Sequence, residues 1–378
     1  MNAHEDHAAR PRPTEDGGRV RVAVVFGGRS GEHSVSCATA AGVLREIDRD
    51  RFDVVPVGIT RSGRWVPVPD DPSLLEGGRA EVPDTGATVV LPADGGGEAR
   101  LTVLGPEPAD LGRVDVVLPL LHGPFGEDGT IQGLLEMVDV PYVGSGVLAS
   151  AVGMDKHFMK VALAATGLAV GPYVVITPAR WERDRDAVLA EVSQLTLPVF
   201  VKPARAGSSL GISRVERIAD LEAAVAAARE HDPKVLVEQG LPGREIECGV
   251  LQGRGGAVPR TAPPAEVVMH TDDFYDFETK YHSTGDFHME CPADVDPAVA
   301  AEVRALAVRA FEALGCEGLA RVDFFVDGGH AVVNEVNTMP GFTPFSMFPV
   351  VWAGAGMSYR DLVTELIDLA LERPTGLR

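Results

Sequence analysis

Lysine is scarce in this chain. Of 34 basic residues only five are lysine: Lys156, Lys160, Lys202, Lys234 and Lys280. Lysine is the compact point charge that meets phosphate without a planar fork, so each one is informative here. Cations as a whole are outnumbered by 55 acidic residues, giving a formal net charge of −21. That balance argues against general binding to nucleic acid or an anionic membrane. An anionic ligand must then be met by a local cluster of cations. Cysteine is also sparse, with Cys37, Cys248, Cys291 and Cys316 scattered and no C-x-x-C pair. This fits reduced thiols in the cytoplasm better than a disulfide framework or a zinc site. No apolar run approaches the ~18 residues of a membrane span. Residues 1–20 are polar, lack the apolar core of a signal peptide, and read as a disordered lead-in.

The 378 residues, 45% of them hydrophobic, are enough for two or three domains. In residues 21–145 the strand Val20–Phe26 breaks at Gly27-Gly28 and a helix follows from about Glu32 to Arg45. "FDVVPVGIT" and "VDVVLPLLHG" supply further strands, so this part reads as a parallel α/β sheet. The Gly- and acid-rich stretch 69–97 lacks periodicity and reads as mobile loop or hairpin. Residues 146–241 open with the helical run "ASAVGMDKHFMKVALAATG". Strand, loop, strand, helix Ile218–Arg229 and strand follow, a small α+β unit. Residues 242–378 hold strands, a polar loop at 270–287, the helix Pro297–Leu314, a hairpin, and a closing helix from Tyr359.

"VVNEVNTMPGF" is an apolar strand that ends on Glu335 and Asn337, two apart and therefore on one face. The preceding "LARVDFFVDGGHAVV" has Asp327-Gly328-Gly329 as a three-residue hairpin loop. In that register Val326 pairs with His330 and Arg321 falls opposite Glu335. Arg321, Asp323, Glu335 and Asn337 then share a face, and the oxygen ligands suit magnesium held by a few carboxylates plus substrate. A two-residue loop would send Asp323 to the other side.

"LPVFVKPARAGSSLGIS" places Lys202 at the end of a strand before a Gly/Ser loop whose N–H groups can cradle phosphate. It is not a Walker A loop, which has different spacing and a helix afterwards. Lys156, Lys202 and Lys280 are three candidates for one triphosphate, the first two read as exposed cations beside Gly-rich turns. "GSGVLAS" matches a dinucleotide fingerprint, but no acidic residue occurs from His157 to Trp181, which argues against a nicotinamide dehydrogenase. Glu32 and His122 sit in "GGRSGEHSVS" and "LHGPFGEDGTIQG", both at carboxyl ends of strands, where open α/β sheets bind ligands. Glu32 is either a first-turn acid of the helix or a partner for a substrate ammonium.

Together with "GSGVLASAVGMDK", "VEQGLPGREIECGVL", "FYDFETKY", "RVDFF" and "NEVNTMPGFTPFSMFP", these blocks resemble the D-alanine–D-alanine ligase family of ATP-grasp enzymes, in the family's order over residues 22 to about 357. The resemblance implies a three-domain α/β ATP-grasp fold with an N-terminal parallel-sheet domain. It implies ATP clamped between the central and C-terminal domains, with Lys156, Lys202 and Lys280 at its phosphates or adenine edge and Glu238, Leu241, Glu245, Phe274 and Asn334 around the nucleotide. Gln239 stands where many relatives carry another residue, so its contact departs from the pattern. Asp323, Glu335 and Asn337 would carry two magnesium ions, with manganese as a substitute. Glu32 and His122 would serve the first D-alanine, with Ser208 and Tyr281 linked to Glu32. Arg321 and the Gly341 N–H would meet the oxyanion, and Ser346 with the Met347 N–H the second carboxylate.

The implied activity is ligation of two D-alanines through an acyl phosphate for peptidoglycan precursors, by a cytoplasmic homodimer. "FYDFETKY" would be a lid that excludes water. The competing expectations are another ATP-grasp carboxylate–amine ligase, a D-alanine–D-lactate ligase, and a catalytically silent nucleotide-binding protein.

Overall fold

A computed structural model describes residues 18–75, 80–91, 99–269 and 287–376. The expectations placed on residues 1–17, Phe274, Lys280 and Tyr281, with the whole lid segment "FYDFETKY", lie outside the described residues.

Strand β1 (Val20–Gly27) is buried along its last six residues, as a strand covered on both faces must be. Helix α1 (His33–Glu46) carries the chain to β2 (Phe52–Ile59), and β3 (Trp65–Pro67) turns back on it. Next come β4 (Thr88–Val90), β5 (Arg100–Leu104), β6 (Ala109–Arg113) and β7 (Val116–Pro119). The first sheet has the order β3-β2-β1-β7, with β1 parallel to both β2 and β7. Within the stretch expected to be loop or hairpin, β4 pairs antiparallel with the next strand β5, in a separate three-stranded sheet, β4-β5-β6. At Gly27 φ is +91°, and a Cβ there would lie 2.3 Å from the Ile59 carbonyl. Only glycine lets the chain leave β1 this close to β2.

Helices α2 (Thr130–Met137), α3 (Val147–Met154) and α4 (Lys156–Ala165) follow. The helical run of the second segment is two helices rather than one. Asp155 breaks it with ψ of 100°, and its carboxylate accepts from the His157 and Phe158 N–H groups to cap α4. Strand β8 (Tyr173–Ile176), helices α5 (Pro178–Arg183) and α6 (Arg185–Val192), strands β9 (Val199–Pro203) and β10 (Ser213–Val215), helix α7 (Leu221–Arg229) and strand β11 (Val235–Gln239) complete the central part. Its antiparallel sheet runs β10-β9-β11-β8. Val199, Val201, Val235 and Val237 point with period two into a core shared with α5–α7.

The last part comprises β12 (Arg244–Leu251), β13 (Arg260–Thr261), β14 (Ala265–Met269), β15 (Phe287–Glu290), α8 (Pro297–Ala313), β16 (Leu319–Asp327), β17 (His330–Asn337), α9 (Met347–Gly354) and α10 (Tyr359–Glu372). The main sheet order is β15-β14-β12-β16-β17. One face packs α3, α4 and α8 through Met159, Leu163, Phe311 and Phe324. The other face, with α9 and α10, shares a core with β1 and α1 through Phe26, Leu44, Phe348 and Leu366. Each such fully buried side chain contributes ~1.5–3 kcal/mol of hydrophobic burial, so the first and last parts are joined by a common core.

The hairpin register differs from the sequence expectation. Asp327 pairs with His330 and Val326 with Ala331, so the loop is Gly328-Gly329, two residues long. That loop alone would have turned Asp323 away. A β-bulge corrects it: Phe324 pairs with Val333 but Asp323 with Glu335, leaving Asn334 as the extra residue. Arg321 then faces Asn337 rather than Glu335. The four residues share a face by a different route.

Candidate active site

A cavity of about 410 Å³ lies between the central sheet and the last one, lined from one side by Phe200, Lys202 and Glu238 and from the other by Asn334, Glu335 and Asn337. Three lysines converge on it. Lys202 lies within β9 with its side chain 12% exposed, so the exposed-cation expectation is corrected. Its Nζ is 2.5 Å from Glu238 Oε2, and Lys160 Nζ is 3.3 Å from Glu238 Oε1. Burial works against the charge of Glu238, but the two lysines prevail and lower its pKa. Burial also opposes the charge on Lys202; Glu238 more than offsets it, and the Lys202 pKa is raised. For Lys160 burial wins over Glu238 and the pKa falls. Lys156 opens α4, with Nζ donating to the Ala206 carbonyl at 2.8 Å and lying 3.7 Å from Glu335. It too is largely buried, with 12% of its side chain exposed. Lys234 is structural: it pairs with Asp155 at 2.7 Å and stacks over Phe158.

Leu241, Gln239, Glu245 and the backbone around Asn334 line the same cavity. Gln239 is engaged elsewhere, its Oε1 accepting from the Thr196 N–H at 3.0 Å. The Asn334 carbonyl accepts from Lys160 Nζ at 3.4 Å.

Beside the Gly/Ser loop that lines the cavity stands Glu32. It occupies the N-cap position of α1 but makes no side-chain cap bond. Its carboxylate instead accepts from Ser208 Oγ, in the Gly/Ser loop after β9. Gly123 and Gly207 leave room for it: a Cβ on either would approach Glu32 Oε2 to 2.5 or 3.0 Å. Ser208 and Ser209 hold φ of +51° and +58°, a strained choice for non-glycine residues. His122 is buried, with Nε2 3.2 Å from Thr39 Oγ1 and its carbonyl accepting from Ser30 Oγ. Burial lowers its pKa, against the pull of Glu32. His33 is structural, bridging the Gly28 carbonyl and the Val82 N–H.

On the last sheet Arg321 Nε and Nη2 donate to the two oxygens of Asp323, each at 2.7 Å. Asn337 Nδ2 adds a third bond to Asp323 at 3.0 Å. Burial opposes the guanidinium charge, yet Asp323 and Glu247 beside it raise the Arg321 pKa well above its usual value. Two carboxylates and an amide oxygen on one face form a hard, all-oxygen donor set that fits magnesium. Glu335 and Asn337 line the cavity, while Asp323 is 1% exposed behind them. Gly341 backs onto Ser346, whose Oγ accepts from the Thr343 N–H at 3.1 Å. Ser346 is the N-cap of α9, so Met347 presents an N–H at a helix N-terminus, a natural anion site.

Three acidic or basic residues at the site escaped the sequence reading. Lys160 follows Lys156 by four positions on one helix, so helical spacing would have joined them. Glu247 lies two residues after Glu245 on β12 and directly across from Asp323. Glu127 lines the cavity and accepts from the Gly123 N–H at 2.5 Å. Burial first, and then the charge of Glu32, push its pKa up to about 8.

Two family models match the chain, D-ala D-ala ligase N-terminus over residues 21–145 and D-ala D-ala ligase C-terminus over residues 162–368. A D-alanine--D-alanine ligase of Kineococcus radiotolerans is 59% identical over 98% of this chain and 100% of its own. A D-alanine--D-alanine ligase of Paenarthrobacter aurescens is 56% identical over 96% of this chain and 97% of its own. Among solved structures, the VanG D-Ala:D-Ser ligase from Enterococcus faecalis superposes with a TM-score of 0.79 at 33% identity, covering 93% of this chain and 100% of that one. The D-alanine-D-alanine ligase from Coxiella burnetii gives 0.78 at 29% identity, covering 94% of each. The chain belongs to the D-alanine–D-alanine ligase family, with the ATP-grasp fold of its relatives.

Proposed function

We propose that this protein joins two molecules of D-alanine into D-alanyl-D-alanine at the expense of ATP. The observation that carries the reading is one cavity with lysines and oxygen ligands together, within reach of the Glu32–Ser208 pair.

Glu32 holds the ammonium of the first D-alanine, and the Ser208 hydroxyl fixes the rotamer of Glu32. The substrate carboxylate is a poor electrophile. One of its oxygens therefore attacks the terminal phosphorus of ATP, the bond to the β-phosphate oxygen breaks, and an acyl phosphate and ADP result. Lys156 and Lys202 offset the crowded negative charge of that step, while Glu238, Leu241 and Glu245 hold the nucleoside. Asp323, Glu335 and Asn337 would hold magnesium, which when bound neutralises phosphate charge and orients it.

The amine of the second D-alanine, in its neutral form, then attacks the acyl carbon; the C–O bond to phosphate breaks, and the proton the nitrogen gives up leaves with the phosphate. Arg321 and the Gly341 N–H stabilise the tetrahedral oxyanion, a role worth ~3–4 kcal/mol per donor in acyl transfer. Ser346 and the Met347 N–H hold the second carboxylate at the start of α9. Such an enzyme works on cytoplasmic precursors of peptidoglycan, and no helix among the described residues is long and apolar enough to cross a membrane. A homodimer in solution belongs to the same proposal.

Mass spectrometry of the product tests it directly. Purified protein with ATP, magnesium and D-alanine should give the dipeptide and one ADP per bond. L-Alanine, D-serine and D-lactate serve as competitors. Absence of any D-alanyl product overturns the reading.

A further inference from the structure

Arg321 has two carboxylate partners, and only one of them belongs to the proposed metal set. Its Nε and Nη2 fork onto Asp323 at 2.7 Å each, while Nε also lies 3.0 Å from Glu247 Oε2. Glu247 stands across from Asp323 on β12, and Glu335 across from it on β17. Three carboxylates thus form a row over three adjacent strands, with Arg321 against two of them. Asp323 is 1% exposed and Glu247 7% exposed. A lost partner would therefore leave a buried charge uncompensated.

A carboxylate offers about four lone-pair sites. Asp323 already gives three of them to Arg321 and Asn337. A divalent cation arriving at Asp323 must compete with the guanidinium for the same oxygens, and the two positive charges repel. If Arg321 had no second partner, metal entry would expel it from the position where it is needed for the oxyanion.

Resting on the ligase reading above, we propose that Glu247 is a positioning residue that takes over Arg321 when a divalent cation engages Asp323. The guanidinium turns from a fork on Asp323 to a fork on Glu247. It keeps its charge and its place beside the reacting carbonyl, and Asp323 is released to the metal. Glu247 does not touch substrate in this scheme; it acts through Arg321.

The bland alternative is that Glu247 only balances a buried cation, and a double-mutant cycle separates the two. Mn²⁺ affinity is read from the electron paramagnetic resonance signal of the free ion, with saturating ADP present. Glu247→Gln should weaken Mn²⁺ binding about tenfold, the usual scale for loss of an outer-shell partner. In an Arg321→Met background no hand-over is needed, so the same Glu247→Gln change should move Mn²⁺ affinity by under ~2-fold. An equal loss in both backgrounds means simple charge balance and overturns the proposal, as does no loss in either.

Arg321→Met leaves Asp323 facing Glu247 and can fail to fold, so a structure of the wild-type protein with magnesium and ADP gives a second check. Arg321 should fork on Glu247 with at most one bond to Asp323. A fork still on Asp323 beside a bound metal ion overturns the hand-over. Dipeptide synthesis by the wild-type protein is scored separately. Its absence would sink the ligase reading while leaving the Mn²⁺ coupling to stand or fall alone.

Discussion

Ser208 Oγ donates a hydrogen bond to Glu32 Oε1 across 176 positions of sequence, joining the loop after β9 to the start of α1. The bond costs backbone strain, because Ser208 sits at φ of +51°. Glycine adopts that conformation freely, whereas alanine does not. Ser208→Gly should therefore leave the melting temperature unchanged or higher, and Ser208→Ala should not raise it. Both should lower kcat/KM for D-alanine about tenfold or more, matching loss of a ~1.5–3 kcal/mol hydrogen bond to a charged group. Full activity in Ser208→Gly would remove Glu32 from the substrate site.

Glu127 gives the site a pH dependence of defined sign. Its folded pKa is raised to about 8 by burial and by Glu32, from an ordinary value of 4.5. Below that ordinary value both folded and unfolded chains hold the proton, and nothing is lost. As pH rises from there through about 8, the unfolded chain ionises first and stability drains by up to ~1.4 kcal/mol per pH unit. Glu127→Gln cannot ionise and should escape the loss. Its melting temperature relative to wild type should be higher at pH 8.5 than at pH 5.5. An unchanged difference between the two pH values would show that Glu127 is ionised throughout.

The oxygen set on the last sheet depends on Glu335, which lines the cavity and lies 3.7 Å from Lys156. Glu335→Gln keeps the shape and removes one ligand charge. Turnover should fall at least ~100-fold, since unneutralised phosphate charge then opposes phosphoryl transfer. Circular dichroism should match wild type. Retained turnover at saturating magnesium would exclude Glu335 from the metal set.

Much of this site was legible because chemistry was concentrated in short motifs. Lys156, Lys202, Glu238, Glu335 and Asn337 all reach the cavity expected from the quoted blocks. The strand period placed Glu335 and Asn337 on one face correctly. It could not reveal the bulge at Asn334, because a bulge is a pairing property of two strands and leaves no mark on one strand's alternation. Glu247 was hidden for a similar reason: its importance comes from lying across from Asp323, 76 positions away in sequence. The break at Asp155 was readable in principle, since Asp is a strong N-cap, but the apolar run on either side masked it. Burial of Lys202 was not readable at all, because its partner Glu238 comes from the neighbouring strand β11.

That partnership sets the last prediction, and it distinguishes the two lysines proposed to meet phosphate. Lys202 and Glu238 form a buried pair at 2.5 Å, with Lys160 as second cation at 3.3 Å. Removing one member of a buried pair typically costs ~3–5 kcal/mol, and Lys160 should hold Lys202→Met to the lower end. Lys156 has a backbone carbonyl and a looser carboxylate contact as partners. Lys156→Met should therefore lower the unfolding temperature less than Lys202→Met, although both impair ATP use. The charge origin of the cost is checked by a second change. Adding Glu238→Gln to Lys202→Met removes the carboxylate left with Lys160 alone and should recover part of the lost unfolding temperature, because burial already favours the neutral form of Lys160. ATP use should stay impaired, because the cation is still missing. If the double variant is less stable than Lys202→Met, Glu238 does not depend on Lys202 for its burial. Its place at the cavity then rests on Lys160 alone.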